Sequence, residues 1–211
     1  MQRGIRLFDY AEAVTAFIED IVENCEAFGH ISVPSLLIGC IKARNADGSG
    51  LYARTIPLRF EGGATTTTRK GVHIRIPIVR HGEREALYMV SFCLPRFQNL
   101  PFEDKVMTVF HELYHISPQF DGDIRRFAGS NYVHSSSQKK YDELMKTLSQ
   151  EYLRHTLRSE LHAFLRFNYA ELSESYGGVK MRIFRAPKAE IIKDTAARNV
   201  SLQMQEKKYK R

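Results

Sequence analysis

Residues 101–116, PFEDKVMTVFHELYHI, decide how this chain is built. At about 100° per residue, Val106, Val109, Phe110, Leu113 and Ile116 fall on one stripe, the pattern of a helix that buries one side. Pro101 suits the start of such a helix, where its missing N–H would find no partner anyway. Glu103 and Asp104 suit the positive N-terminal end. His111 and His115 fall nearly opposite the apolar stripe. A helix of this pattern turns its hydrophobic side to a core and its two imidazoles to a cleft.

Residues 111–115 spell H-E-x-x-H. Side chains four apart share a helix face, so both ring nitrogens can point at one zinc ion about 2.0–2.1 Å away. Glu112 between them is not a ligand. It stands where it can take a proton from water and pass it to a leaving amine. The expected roles are His111 and His115 as metal ligands, Glu112 as catalytic base and acid, and Zn2+ as cofactor. A catalytic zinc takes three protein ligands and keeps one position open. His134 is the first choice for the third, in Asn131-Tyr132-Val133-His134-Ser135 before a helix expected from Ser136 or Ser137. Asp121 is the second. It holds the place of the third ligand in the metzincin pattern HExxHxxGxxH, although Pro118 stands where that pattern has glycine. Glu143 or Glu151 could serve from a later amphipathic helix.

The run HELYHISPQFDGDIRRF at 111–127, followed by His134, resembles the putative phage metallopeptidase domain family. That family's pattern runs approximately HELxHIxPxFDG, then basic residues, then a further His. More distantly the chain is similar to SprT-like zincins, which also place a third His after HExxH. The specific part covers about 25 residues, and the strand-then-helix order about 150. The resemblance implies a zinc-dependent peptidase fold, with His111, His115 and Glu112 in the family's roles and His134 as the further ligand. It supplies no substrate.

Asp121-Gly122-Asp123 reads as a turn, or as a place for a carboxylate that orients a ligand histidine. Arg125 and Arg126 could pair with these aspartates or meet a substrate carboxylate. Tyr114 or Tyr132 could donate to an oxyanion, with ordinary packing as the plain alternative.

The rest of the chain supplies a setting. Residues 9–28 have helical spacing. Residues 36–43 and 51–60, on either side of the turn-forming cluster at 45–50, read as a hairpin. Gly62-Gly63 and Thr65 to Thr68 read as a flexible polar connection. Residues 73–80 alternate as one strand, a polar turn follows, and 86–94 make the last strand before the helix. After His134, Tyr141, Leu144, Met145, Leu148 and Tyr152 recur at helical spacing, and residues 161–169 continue in helices. Tyr176-Gly177-Gly178 ends them, and residues 181–185 read as a late strand. The expected fold is therefore α+β and zincin-like, a small, mostly antiparallel sheet packed against the HExxH helix with further C-terminal helices. Residues 1–195 form one metallopeptidase domain, and 196–211 a basic, exposed tail.

Composition narrows the class. Apolar residues at 43% and charged ones at 26% are ordinary for a soluble globular protein. Neither a secretory signal nor a membrane span is expected. Cys25, Cys40 and Cys93 form no C-x-x-C pair and suit reduced thiols in the cytoplasm. The net charge of +7, with Lys207, Lys208, Lys210 and Arg211 at the tail, allows nonspecific nucleic-acid contact beside a protein or peptide substrate. The expected activity is metal-assisted peptide hydrolysis. The rival is a DNA-associated or regulatory protein with a structural zinc and no hydrolysis.

Overall fold

The computed structural model describes residues 7–43, 50–126 and 138–192. Its elements run β1 (Phe8–Asp9), α1 (Tyr10–Asn24), β2 (Leu36–Lys42), β3 (Ala53–Pro57), β4 (Thr66–Arg69), β5 (Val72–Arg75), β6 (Val79–His81), β7 (Arg84–Ala86) and β8 (Tyr88–Leu94). Then come α2 (Phe102–Tyr114), α3 (Gln138–His155), a 3-10 segment (Ser159–Arg166), α4 (Tyr169–Tyr176), β9 (Val179–Lys180) and β10 (Glu190–Ile191). This is a mixed α+β protein with small sheets and several helices.

The central sheet has the order β2-β8-β3, with β2 parallel and β3 antiparallel to β8. Residues 36–43 and 51–60 therefore do not form a hairpin, and this sheet is mixed rather than mostly antiparallel. The reason lies in β8. All seven of its residues are buried, so both faces and both edges are covered by protein, and it takes the middle. Tyr88, Val90, Phe92 and Leu94 enter the main core with Leu36, Ile38 and Cys40 of β2 and the apolar sides of α1, α2 and α3. Met89 looks the other way, into a smaller cluster with Leu37, Leu58 and Ala86.

Three further expectations change. Residues 73–80 break into β5 and β6 around Pro77, which cannot donate to a ladder. The stretch expected to be a flexible connection holds a 3-10 turn (Glu61–Gly63), and β4, which pairs with β5. Residues 181–185 form no strand. Instead the Cys40 amide donates to the Arg182 carbonyl at 2.7 Å. A Cβ at Gly39 would lie 2.7 Å from that oxygen and 2.8 Å from the Phe184 ring, so glycine permits the close approach.

The HExxH helix is anchored at both ends. At its start, buried Lys105 donates to the carbonyls of Leu165 and Phe167, both at 2.7 Å. Pro101 sits one place earlier than expected, as N-cap rather than inside the first turn. Val106, Val109, Phe110, Leu113 and Ile116 are all buried, as the stripe predicts. At 20–33 cal/mol per Å2, burial of these five side chains is the main force seating α2 on the sheet.

Candidate active site

α2 ends at Tyr114, but His115 at its C-cap keeps helical angles, φ −67° and ψ −19°. His111 and His115 therefore stay one turn apart on one face. Their ring centroids are 4.7 Å apart and their planes cross at 80°. Both are half-buried.

The chain turns back at once after His115. Ile116 bridges Ile124, and the Ser117 amide donates to the Asp123 carbonyl at 3.2 Å. Arg125 caps the helix end: its amide donates to the His115 carbonyl at 2.7 Å and its Nε to the Tyr114 carbonyl at 2.8 Å. Its guanidinium lies 4.0 Å from the Tyr114 ring centre. A cation at a helix C-terminus is favourable, and here it also satisfies carbonyls the helix leaves open. Thus Arg125 holds the helix end rather than an aspartate, while Tyr114 is packed under a guanidinium and against Phe28 and Tyr141.

The turn at Asp121-Gly122-Asp123 forms as the sequence predicts. Gly122 has φ +88°, and a Cβ there would lie 2.5 Å from Arg59 Cγ, so no other residue fits unstrained. The buried Tyr88 hydroxyl accepts from the Gly122 amide at 2.9 Å and donates to the Asp123 carbonyl at 2.8 Å. Asp123 accepts from the Gly62 and Ile124 amides and from Arg126. Burial raises its carboxyl, but those hydrogen bonds win and hold it below the usual range. Asp121 Oδ1 accepts the Asp123 amide at 3.1 Å.

Glu112 is only 6% exposed. Its Oε2 is buried and has no hydrogen-bond partner among the described residues. Burial pushes the carboxyl up to about 7, against hydrogen bonding from Thr55, which pulls down. Thr55 Oγ1 donates to the Glu112 carbonyl at 2.8 Å and so ties β3 to the motif.

β3 lies at the sheet edge beside α2. Cys93 donates to the Tyr52 carbonyl and Leu58 to the Leu87 carbonyl. In an antiparallel ladder, hydrogen-bonded pairs alternate with non-bonded ones. Residues 52, 54, 56 and 58 thus bond to β8 and its flanks, and Ala53 and Thr55 turn their backbone N–H and C=O outward. No strand pairs with that edge among the described residues.

The sequence reading missed one residue of the site. Tyr141 of α3 looked like plain core, and it is only 2% exposed. Yet its ring lies 5.0 Å from that of His111, edge-on, and 6.3 Å from that of His115, nearly parallel. Burial raises its hydroxyl well above the ordinary tyrosine value. Nothing in spacing or composition could have joined it to a motif 30 positions upstream.

His134 and Tyr132 lie outside the described residues. Among the described residues, no third His, Cys, Asp or Glu gathers with His111 and His115 into a metal-holding group. Glu143 is exposed, and Glu151 lines a groove with Cys25 between α1 and α3. Two imidazoles on one face fit zinc as donors, and the buried Glu112 Oε2 beside them, without a partner among the described residues, fits a proton acceptor rather than a ligand.

Residues 8–148 match the family model described as putative phage metallopeptidase. No curated protein sequence and no solved structure matches the chain. No described helix is long and apolar enough to cross a membrane.

Proposed function

The chain belongs to the putative phage metallopeptidase family, and on that premise we propose that it is a zinc-dependent peptidase with a zincin-like arrangement of its HExxH helix. The observation that carries the reading is the pair of imidazoles on one helix face beside the buried, unpartnered Glu112 Oε2. His111, His115 and His134 would hold the zinc, which when bound supplies Lewis acidity toward a carbonyl oxygen and toward water. Glu112 takes a proton from the attacking water and returns it to the departing nitrogen. Thr55 holds the Glu112 turn of the helix in place through its carbonyl. The outward N–H and C=O groups of Ala53 and the outward C=O of Thr55 bind an extended substrate backbone by strand addition, while the Thr55 N–H serves the Glu112 carboxylate. A protein or peptide substrate follows from this reading.

It also takes residues 1–195 as one peptidase domain and 196–211 as a basic tail, with charge as the support for nonspecific nucleic-acid contact. The three free cysteines support a cytoplasmic location. The test is Glu112→Gln in zinc-loaded protein. Mass spectrometry should find one zinc retained, while digestion of fluorescent casein falls about 100- to 10,000-fold. Equal digestion by variant and parent removes Glu112 from its role. A fourth protein ligand closing the metal site would favour the structural-zinc rival.

A further inference from the structure

A cavity of about 260 Å3 opens beside the motif, with His111 and Glu112 in its lining. Thr108 and Asp142 give the rest of the lining a polar part, and four further walls are Leu51 and Ala53 at the entrance to β3, Met107 one turn before His111, and Met145 of α3. These are apolar, and the two methionines are soft, adaptable walls. The β3 side is built firmly. Arg96 donates to the Leu51 carbonyl at 3.0 Å, and Gly50 at φ +113° lies so close that a Cβ there would meet the Arg96 guanidinium at 2.6 Å. The motif's catalytic face and this cavity are therefore one continuous space, bounded by three separate elements.

We propose that the cavity seats an apolar side chain, such as leucine, methionine or phenylalanine, from the substrate residue next to the bond that is cut. This assignment rests on the peptidase reading and names the substrate class for it. Three observations converge. A peptide laid along β3 with its scissile carbonyl at Glu112 places a neighbouring side chain toward Met107 and Met145, because successive residues of an extended strand point to alternate sides. The size suffices: a dry apolar cavity of about 150 Å3 already holds benzene. The lining also disfavours an acidic side chain, since Asp142 stands in it and the Met107 and Met145 walls offer a carboxylate no hydrogen bond.

The test uses blocked peptides acetyl-Ala-Ala-X-Z-Ala-Ala-amide, with X and Z drawn from Gly, Ala, Leu, Phe, Asp and Lys. Zinc-loaded parent protein digests the mixture, and mass spectrometry reads the products. The same peptides, fluorescently labelled, are titrated into Glu112→Gln by anisotropy. At one of the two positions Leu and Phe should be preferred over Gly and Asp by about tenfold or more, in turnover and in binding. Met107→Phe, which narrows the cavity, should turn the preference from Phe toward Ala. Leu51→Lys, at a side chain 51% exposed and so tolerant of change, should lift the exclusion of Asp. Circular dichroism confirms that both variants fold. Turnover with no apolar preference, or a preference that neither variant alters, overturns the pocket and leaves the peptidase reading standing. Apolar-selective binding with no turnover by the parent upholds the pocket and defeats the peptidase reading.

Discussion

Tyr141→Leu should weaken zinc binding without unfolding the protein. Tyr141 touches both imidazoles, with ring centroids at 5.0 and 6.3 Å, and so fixes their mutual orientation before a metal arrives. An aromatic pair contributes about 0.5–1.5 kcal/mol beyond its buried area. Losing two such pairs removes about 1–3 kcal/mol of preorganisation. At about 1.4 kcal/mol per tenfold, zinc affinity should drop about 5- to 150-fold. Tyr141→Phe is the control. It keeps the ring that meets both imidazoles, so its affinity should change less than about threefold. Competition with a chromophoric chelator gives the affinity, and the absorption bands of the cobalt-substituted protein report ligand geometry. Urea unfolding of the metal-free proteins separates a lost fold from a lost site. The reasoning fails if the leucine variant binds zinc within twofold of the parent with the same cobalt spectrum. It fails equally if phenylalanine is as damaging as leucine.

Three other outcomes are expected. His134→Ala should lower zinc affinity sharply; unchanged affinity and stoichiometry would move the third ligand to Asp121 or elsewhere. Asp20, fully buried, accepts from the hydroxyls of Tyr152 and Thr156 and from Asn24, and meets Arg158 at 3.4 Å. Asp20→Ala leaves the Tyr152 and Thr156 hydroxyls without their acceptor and should cost about 2–5 kcal/mol, a melting temperature lower by about 4–20 °C in calorimetry; a drop under about 2 °C would refute this. His162 has both ring nitrogens buried and without a hydrogen-bond partner among the described residues, packed among Phe17, Phe102 and Tyr152, with Asp20, Glu160 and Arg166 as nearby charges. Burial, with help from Arg166, holds its pKa below 6.5. The unfolded chain then binds more protons than the folded one as pH falls through 6.5, so stability is full above that pH and is lost below it. Urea titrations from pH 8 to 5 should show this decline, and His162→Leu should flatten it; an equally steep decline in the variant would exonerate His162.

The sequence was most legible where one element carried its own signal. The stripe from Val106 to Ile116 specified a helix, its buried side and the opposite placing of two imidazoles, and each of those positions lies as the periodicity predicts. Pairing between strands was less legible. The cluster at 45–50 signals a reversal of direction but not which strands become neighbours, and β8, which begins only at Tyr88, takes the place between β2 and β3. Its apolar run, interrupted by Ser91 alone, was the available clue, since strands covered on both faces lose their alternation. Long-range polar contacts were not legible at all. Gly62-Gly63 looked like a linker because its partner, Asp123, lies 61 positions away. Arg125 sits beside two aspartates in sequence, yet the unsatisfied carbonyls of the helix end claimed it.

The crossing of the Arg182–Phe184 stretch over Gly39 and Cys40 gives the central sheet two unlike borders. On the β2 flank an amide is already spoken for and an aromatic ring stands in the way, so a stray chain finds no template there. Under the proposed function, an incoming polypeptide is thereby steered, among the described residues, to the flank that runs past Glu112. A sheet with both flanks open would gather clients where nothing can be done to them.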